Sequence, residues 1–274
     1  MYVNIYSWFC SSKIRLGYER HTIQNTPNQG DIVTKSLNET GYHGSLKAHE
    51  RPPILSSSQR VAILFEGPPQ VGKGTQANAL STYFGIPIFE TGEVLRGAAA
   101  ADPDNPLYEP MKRRELVSDK TVLHLCKGWT IRHRSYHELV YDGIPRNRKQ
   151  QEELLMYLLD REFLLRVCWF STDPYHCITR PARPNRKEDM SKELQLKGIE
   201  EFEKHTLPTF DQYRLFGVSE AQGNMLVVDN AALTPRQTAG KIISFLGLPC
   251  TPENLFPSTE KNSPVQEQPH AAVA

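Results

Sequence analysis

The chain has 274 residues, 39% of them hydrophobic and 23% charged, with a formal net charge of +1. That size and balance suit a folded domain with a sizeable core and exclude a chain that is disordered throughout. The near-zero charge removes the electrostatic case for nucleic acid, no apolar run reaches the ~18 residues of a membrane span, and five scattered cysteines without a C-x-x-C pair suit reduced thiols in the cytoplasm.

In chain order, residues 1–59 are rich in Ser, Thr, Asn, Gln and Gly and show no sustained period of 2 or 3.6. They offer too little apolar surface to offset ordering entropy, so an unstructured extension is expected. Its apolar opening lacks a basic leader and a cleavage site, although Lys13, Arg15 and Arg20 leave a transit peptide as the minor alternative. The folded part is expected at 60–248, and the proline-bearing tail at 249–274 is expected to be unstructured.

Val61–Phe65 reads as a buried strand, followed by a glycine loop and a helix over 72–84. A shorter strand is expected at Ile86–Phe89, and three more at His137–Tyr141, Arg166–Phe170 and Met225–Val228. Between them Val122, Leu125 and Trp129 share one helical face, as do Leu154, Leu155, Leu158 and Leu159. Ile242, Phe245 and Leu246 mark a last helix ending at Gly247. Strands alternating with helices predict an α/β fold, a parallel five-stranded sheet covered on both faces. Cys168 lies within an apolar run and reads as a small core residue.

The strongest motif is Gly67-Pro-Pro-Gln70-Val71-Gly72-Lys73-Gly74-Thr75, directly after the first strand and at the start of a helix. Such a loop turns successive N–H groups inward around phosphate oxygens, and the helix N-terminus adds partial positive charge. Lys73 can then reach the β- and γ-phosphates of a nucleoside triphosphate. Asp142 closes a strand, where a carboxylate can hold Mg²⁺-bound water, although an N-cap role is the plainer alternative. Arg96 and Arg146 offer planar forks that match a phosphate, against the alternative of surface ion pairs. Gly143 lets the strand end approach a phosphate closely.

The GKGT form of the loop is similar to that of the adenylate kinase family. Thr91-Gly-Glu-Val-Leu-Arg96 resembles the family's T-G-D-L-L-R, Glu115-Leu-Val-Ser-Asp119 its G-x-L-V-P-D, and Asp142-Gly-Ile-Pro-Arg146…Gln150 its D-G-F-P-R-x-x-x-Q. The match runs from Val61 to about Leu248 and implies a P-loop NTPase-type fold with a small acceptor-binding helical insertion at about 90–120 and a short lid at about 180–190. It further implies an ATP-dependent nucleoside monophosphate kinase, acting as a monomer. ATP would lie on Gly67, Gln70, Val71, Gly72, Lys73, Gly74 and Thr75, with Arg180 stacked on its base. The acceptor would be held by Thr91, Arg96, the backbone at Val117, Gly143, Arg146 and Gln150. Gln150 would read adenine and favour AMP, with UMP or CMP left open. Arg183 and Arg186 would close over the transferring phosphoryl, with Asp142 holding Mg²⁺ through water.

Two positions depart from the family pattern. Gln70 stands where the family usually has glycine, and costs about 1 kcal/mol or more if φ must be positive there. Gly198, in Lys197-Gly198-Ile199…Thr206-Leu207-Pro208, stands where the family has its last phosphate-binding arginine. These two positions, with the proline-rich lid, keep a catalytically inactive nucleotide-binding regulator as the second expectation.

Overall fold

The structure, a computed structural model, describes residues 59–100, 117–179 and 191–257. The expected lid at 180–190, with Arg180, Arg183 and Arg186, lies outside the described residues. So do residues 1–58, 101–116 and 258–274.

Five strands form one sheet: β1 (Val61–Glu66), β2 (Ile88–Glu90), β3 (Glu138–Asp142), β4 (Leu164–Phe170) and β5 (Met225–Val228). Their order is β2-β3-β1-β4-β5 and every pairing is parallel. All six residues of β1 are buried, because this strand has neighbours on both edges and helices on both faces. A parallel strand covered on both faces must be apolar at successive positions, which is why Val61–Phe65 shows no polar alternation.

Two apolar clusters divide the side chains of the sheet. Ala62, Leu64, Leu139 and Tyr141 face α3 (Asp119–Arg132) and α4 (Arg148–Leu159), where Leu123, Cys126, Trp129, Leu154, Leu155 and Leu158 are buried. Val61, Ile63, Phe65 and Val140 face the other way, against Ala77 and Leu80 of α1 (Lys73–Phe84) and Ile242, Ile243 and Leu246 of α7 (Pro235–Leu246). Cys168 joins this second cluster, fully buried, as a small core residue. Each large apolar side chain so buried contributes about 1.5–3 kcal/mol.

Local signals set the helix ends. Ser118 caps α3 and Asn147 caps α4, each accepting from a backbone N–H of the first turn. Thr234 and Gln237 form a reciprocal capping box around Pro235, and Gly247 ends α7 in the left-handed conformation. The remaining helices are α2 (Thr91–Ala100), α5 (Pro174–Cys177) and α6 (Lys192–Glu201), the last running into a π-helical turn at Phe202–Thr206.

The expectation of an unstructured tail from Pro249 does not hold for its first residues. Thr251 caps a short helix, α8 (Pro252–Leu255), and Arg236 donates from Nε and Nη2 to the Phe256 carbonyl at 3.1 and 2.8 Å. Leu255 and Phe256 pack against the α7 side of the core. Proline here marks the first turn of a helix, where it is well tolerated, and was no sign of disorder. Among the described residues no helix is long and apolar enough to cross a membrane.

Candidate active site

The carboxyl ends of the strands bring the motif residues together. Glu66 closes β1, Glu90 closes β2 and Asp142 closes β3, with Phe65 and Glu90 both in register with Asp142. Open parallel sheets bind their ligands in the crevice outside these ends.

The glycine loop leaves β1 at Gly67, whose φ of +137° and surroundings admit no side chain: a Cβ there would lie 2.6 Å from the Phe170 carbonyl oxygen. The loop ends at Gly72, φ +106°, the N-cap of α1, so the helix N-terminus opens into the loop. Val71 is buried, and its carbonyl accepts from Asn230 Nδ2 at 2.8 Å. Asn230 Oδ1 in turn accepts from Thr172 Oγ1 at 2.6 Å, which ties the loop to the ends of β4 and β5. Gly74 is buried and Thr75 exposed at the start of α1.

Lys73 curls back over the loop, donating to the carbonyls of Gly67 at 2.8 Å and Pro68 at 2.7 Å. Burial draws it below the ordinary lysine value, while Asp142 and Glu66 pull it back up. The neighbouring carboxylates and the loop carbonyls compensate an ammonium in a partly desolvated position, as an incoming phosphate would.

Gln70 has φ +60°, in the left-handed region where a non-glycine residue is strained. Its side-chain Oε1 and Nε2 are both buried without a hydrogen-bond partner. Strain and unsatisfied amide atoms act in the same direction, so Gln70→Gly is expected to stabilise the protein by about 1–2 kcal/mol. For a domain of this size that raises the melting temperature by about 2–8 °C. An unchanged or lowered melting temperature in a thermal melt would show that the loop relieves the strain elsewhere.

The residues expected to hold an acceptor lie in the segments after β2 and β3 and, for Val117, just before α3. Thr91, 2% exposed, donates through Oγ1 to the Gly143 carbonyl at 3.0 Å, fastening the start of α2 to the turn after β3. Gly143 has φ +75°, and a Cβ there would meet Arg146 Nη2 at 3.1 Å. Arg146 donates from Nε to the Gly143 carbonyl at 2.9 Å and is near enough to influence both Lys73 and Glu66 electrostatically. Its own carbonyl accepts from Thr206 Oγ1 at 2.9 Å, a bond from the π-helical turn after α6. Arg96 pairs with Glu93 at 2.8 Å and Glu90 at 3.7 Å, and so sits at the end of β2. Val117 is buried in the same cluster as Leu95 and Val122.

Gln150 is held on both sides of its amide. Oε1 accepts from the Arg146 N–H at 2.8 Å, and Nε2 donates to Asp119 Oδ1 at 2.9 Å. Asp119 Oδ1 also accepts from Asn147 Nδ2 at 2.7 Å. The amide keeps one further N–H and one further lone pair, but the residue is only 1% exposed. Gly198 lies inside α6, where a glycine costs about 1 kcal/mol relative to alanine.

Several contributors were not singled out from sequence. Asp119 was seen only as part of a motif, although it organises Asn147 and Gln150. Thr206 was likewise only a motif letter, although it anchors Arg146. Thr172 and Asn230 follow strands β4 and β5 as polar residues at strand ends, which is the one signal that could have marked them. Glu66 ends an otherwise apolar strand yet is 2% exposed, with Oε1 lacking any hydrogen-bond partner. Burial pushes its carboxyl well above the ordinary glutamate range, while Lys73 opposes the shift, Asp142 adds to it and Arg146 opposes it.

One end of a parallel sheet therefore carries a phosphate-type loop, a lysine, a strand-end aspartate and two arginines on adjoining segments. Known proteins with related sequences agree with that combination. The family model described as adenylate kinase matches residues 65–218. An adenylate kinase of Thermus thermophilus is 31% identical over 193 residues, covering 68% of this chain and 97% of that protein. One from Prochlorococcus marinus is 31% identical over 196 residues, 66% of this chain and 98% of its own. A third, from Thermodesulfovibrio yellowstonii, is 42% identical over 96 residues, 34% of this chain and 44% of its own. The matched region takes in every strand end but that of β5, and both halves of the site, so the chain belongs to the adenylate kinase family.

Proposed function

We propose that the protein transfers the γ-phosphoryl group of ATP to AMP, giving two ADP, by in-line displacement. Family membership supports a nucleoside monophosphate kinase, a phosphotransferase. The observation that carries the reading is that Lys73, at the end of the glycine loop, and Arg146, in the turn after β3, stand at the carboxyl ends of adjoining strands, where the Arg146 charge bears on Lys73. The donor lies on the loop amides and Lys73, and the acceptor phosphate lies between Arg96 and Arg146.

In this reading Lys73 exchanges the carbonyls of Gly67 and Pro68 for β- and γ-phosphate oxygens when ATP enters. Arg146, fixed at its N–H, its carbonyl and its Nε, presents its Nη groups to the acceptor phosphate without having to be ordered first. Arg183 and Arg186 are proposed to neutralise the equatorial oxygens, with Arg180 against the ATP base. A divalent cation, Mg²⁺, fits the donor set: Asp142 supplies a 7% exposed carboxylate at the strand end, beside Lys73. When bound, Mg²⁺ neutralises charge on the donor phosphates. Closure excludes water, because the same arrangement around a bound water would hydrolyse ATP.

Gln150 is proposed to read adenine with its remaining N–H and lone pair, which requires the residues covering it to part. A coupled ADP-formation assay with ATP, Mg²⁺ and AMP, UMP, CMP or GMP tests the acceptor. AMP is expected to be used best, and Gln150→Ala to raise KM for AMP selectively. The substitution leaves the Asp119 Oδ1 and Arg146 N–H without this partner, so a stability loss of about 1 kcal/mol is expected beside it. An unchanged ratio of AMP to CMP use would remove the adenine assignment.

The left-handed Gln70 and the helical Gly198 favour a second reading, a nucleotide-binding regulator without turnover. ATP binding with ADP formation no faster than that of an Asp142→Ala variant would establish it.

A further inference from the structure

One peptide group of the glycine loop is held from outside the loop. Lys73 gathers the carbonyls of Gly67 and Pro68, but the Val71 carbonyl is taken by Asn230 Nδ2 at 2.8 Å, from the segment after β5. Val71 is fully buried and Asn230 is only 5% exposed. In a trans peptide the carbonyl and the following N–H point in opposite directions. Fixing the Val71 carbonyl on Asn230 therefore turns the Gly72 N–H away from Asn230. Gly72 is the N-cap of α1, with φ +106°, at the helix N-terminus that opens into the loop. Backbone N–H groups at such a terminus are the ones that meet an anion.

The Asn230 amide is itself oriented. Phe170 of β4 and Val228 of β5 are paired, so Thr172 and Asn230 each stand two residues beyond the same rung of the sheet. Thr172 Oγ1 accepts from the Asn230 N–H at 2.9 Å. Its own proton then goes to Asn230 Oδ1 at 2.6 Å, with Asp229 Oδ1 at 3.0 Å as the second acceptor. With Oδ1 facing a donor, Nδ2 is the end that faces Val71. A second bond, from Gln76 Nε2 to the Pro235 carbonyl at 2.9 Å, ties the first turns of α1 to the same stretch of chain. The loop end is thus braced against the segment between β5 and α7.

We propose that Asn230 is a positioning residue for the donor's polyphosphate chain: it presets the Val71–Gly72 peptide with its N–H turned into the loop, and Thr172 keeps the Asn230 amide facing the right way. This rests on the reading of the loop as the phosphate site of ATP. A donor aimed in advance spares the ligand the cost of ordering it. A hydrogen bond to a charged oxygen, so preset, carries about 10–100-fold in affinity. The effect belongs to the phosphates, and neither the base nor the acceptor monophosphate shares in it.

The test measures binding of ATP, inorganic tripolyphosphate and AMP to the full chain by calorimetry, with a thermal melt beside it. Amide shifts of the glycine-labelled chain are followed by nuclear magnetic resonance. Asn230→Leu keeps the size of the amide without adding charge. It is expected to weaken ATP and tripolyphosphate by the same factor, about 10–100-fold, to leave AMP within about threefold, and to lose the downfield movement of the Gly72 amide proton on adding tripolyphosphate. Thr172→Val is expected to weaken tripolyphosphate by up to about tenfold, and Thr172→Ser, which keeps the hydroxyl, to restore it. Tripolyphosphate affinity within twofold of wild type in Asn230→Leu would overturn the proposal and leave the ATP reading standing. So would an equal loss of AMP binding, which would make Asn230 a general support of the fold. Should Asn230→Leu fail to fold, equal tripolyphosphate affinity in Thr172→Val and Thr172→Ser would overturn it. Failure of the wild-type chain to bind either ATP or tripolyphosphate would overturn both readings.

Discussion

Replacing Lys73 with Met is expected to lower turnover of ATP and AMP by at least about 10³-fold, with folding and melting temperature nearly unchanged. The ammonium serves as a mobile charge: it bonds the Gly67 and Pro68 carbonyls, and in the proposed reaction it moves to the phosphates. Preorganised donors at a transferring phosphoryl group contribute about 10²–10⁵ in rate, and 10³ corresponds to about 4 kcal/mol of barrier. Met keeps the length of the stem and its packing, so the loss isolates the charge. Lys73→Arg is not expected to restore the rate, because the broad fork cannot fit between two loop carbonyls spaced for one ammonium. Steady-state kinetics with a thermal melt as control decide it, and a loss below tenfold would place phosphate recognition in the loop amides alone.

Arg146→Lys is expected to reduce kcat/KM for the monophosphate by about 10²–10³-fold while leaving the affinity for ATP within about threefold. The backbone of Arg146 is held by Gln150 on one side and Thr206 on the other, and its Nε is held by Gly143. A lysine there retains the charge and the backbone bonds but loses both the Nε anchor and the bidentate fork. A drop of equal size in ATP affinity would show that the residue serves the donor, and activity within threefold of wild type would show that charge alone suffices. Thr206→Val probes the same support from outside the crevice. Its effect should fall on kcat/KM for the monophosphate and be smaller, about tenfold, because it only loosens the Arg146 carbonyl.

The architecture was legible where one segment's own pattern settles its state. The apolar run Val61–Phe65, the glycine loop and the Thr234/Gln237 and Gly247 signals each act over a few residues, and strands and helices stand within one or two residues of expectation. At Gln70, where the family usually has glycine, the sequence only raised the question of a positive φ, and the folded loop has one. The tail was misread because proline was taken as disorder, whereas the contact that orders it comes from Arg236, 20 residues upstream of Phe256.

What could not be read along the chain depends on residues far apart in it. Asn230 and Val71 are 159 positions apart, Gln150 and Asp119 31, and Thr206 and Arg146 60. The chain by itself determined the alternation of strands with helices, the phosphate loop and the family, since these follow from local periodicity and short motifs. Strand order, the restraint of Gln150 by Asp119 and the burial of Glu66 beside the loop were decided only by the folded sheet. Parallel pairing brings strand ends together whatever their separation in sequence, and burial then fixes which polar atoms find partners.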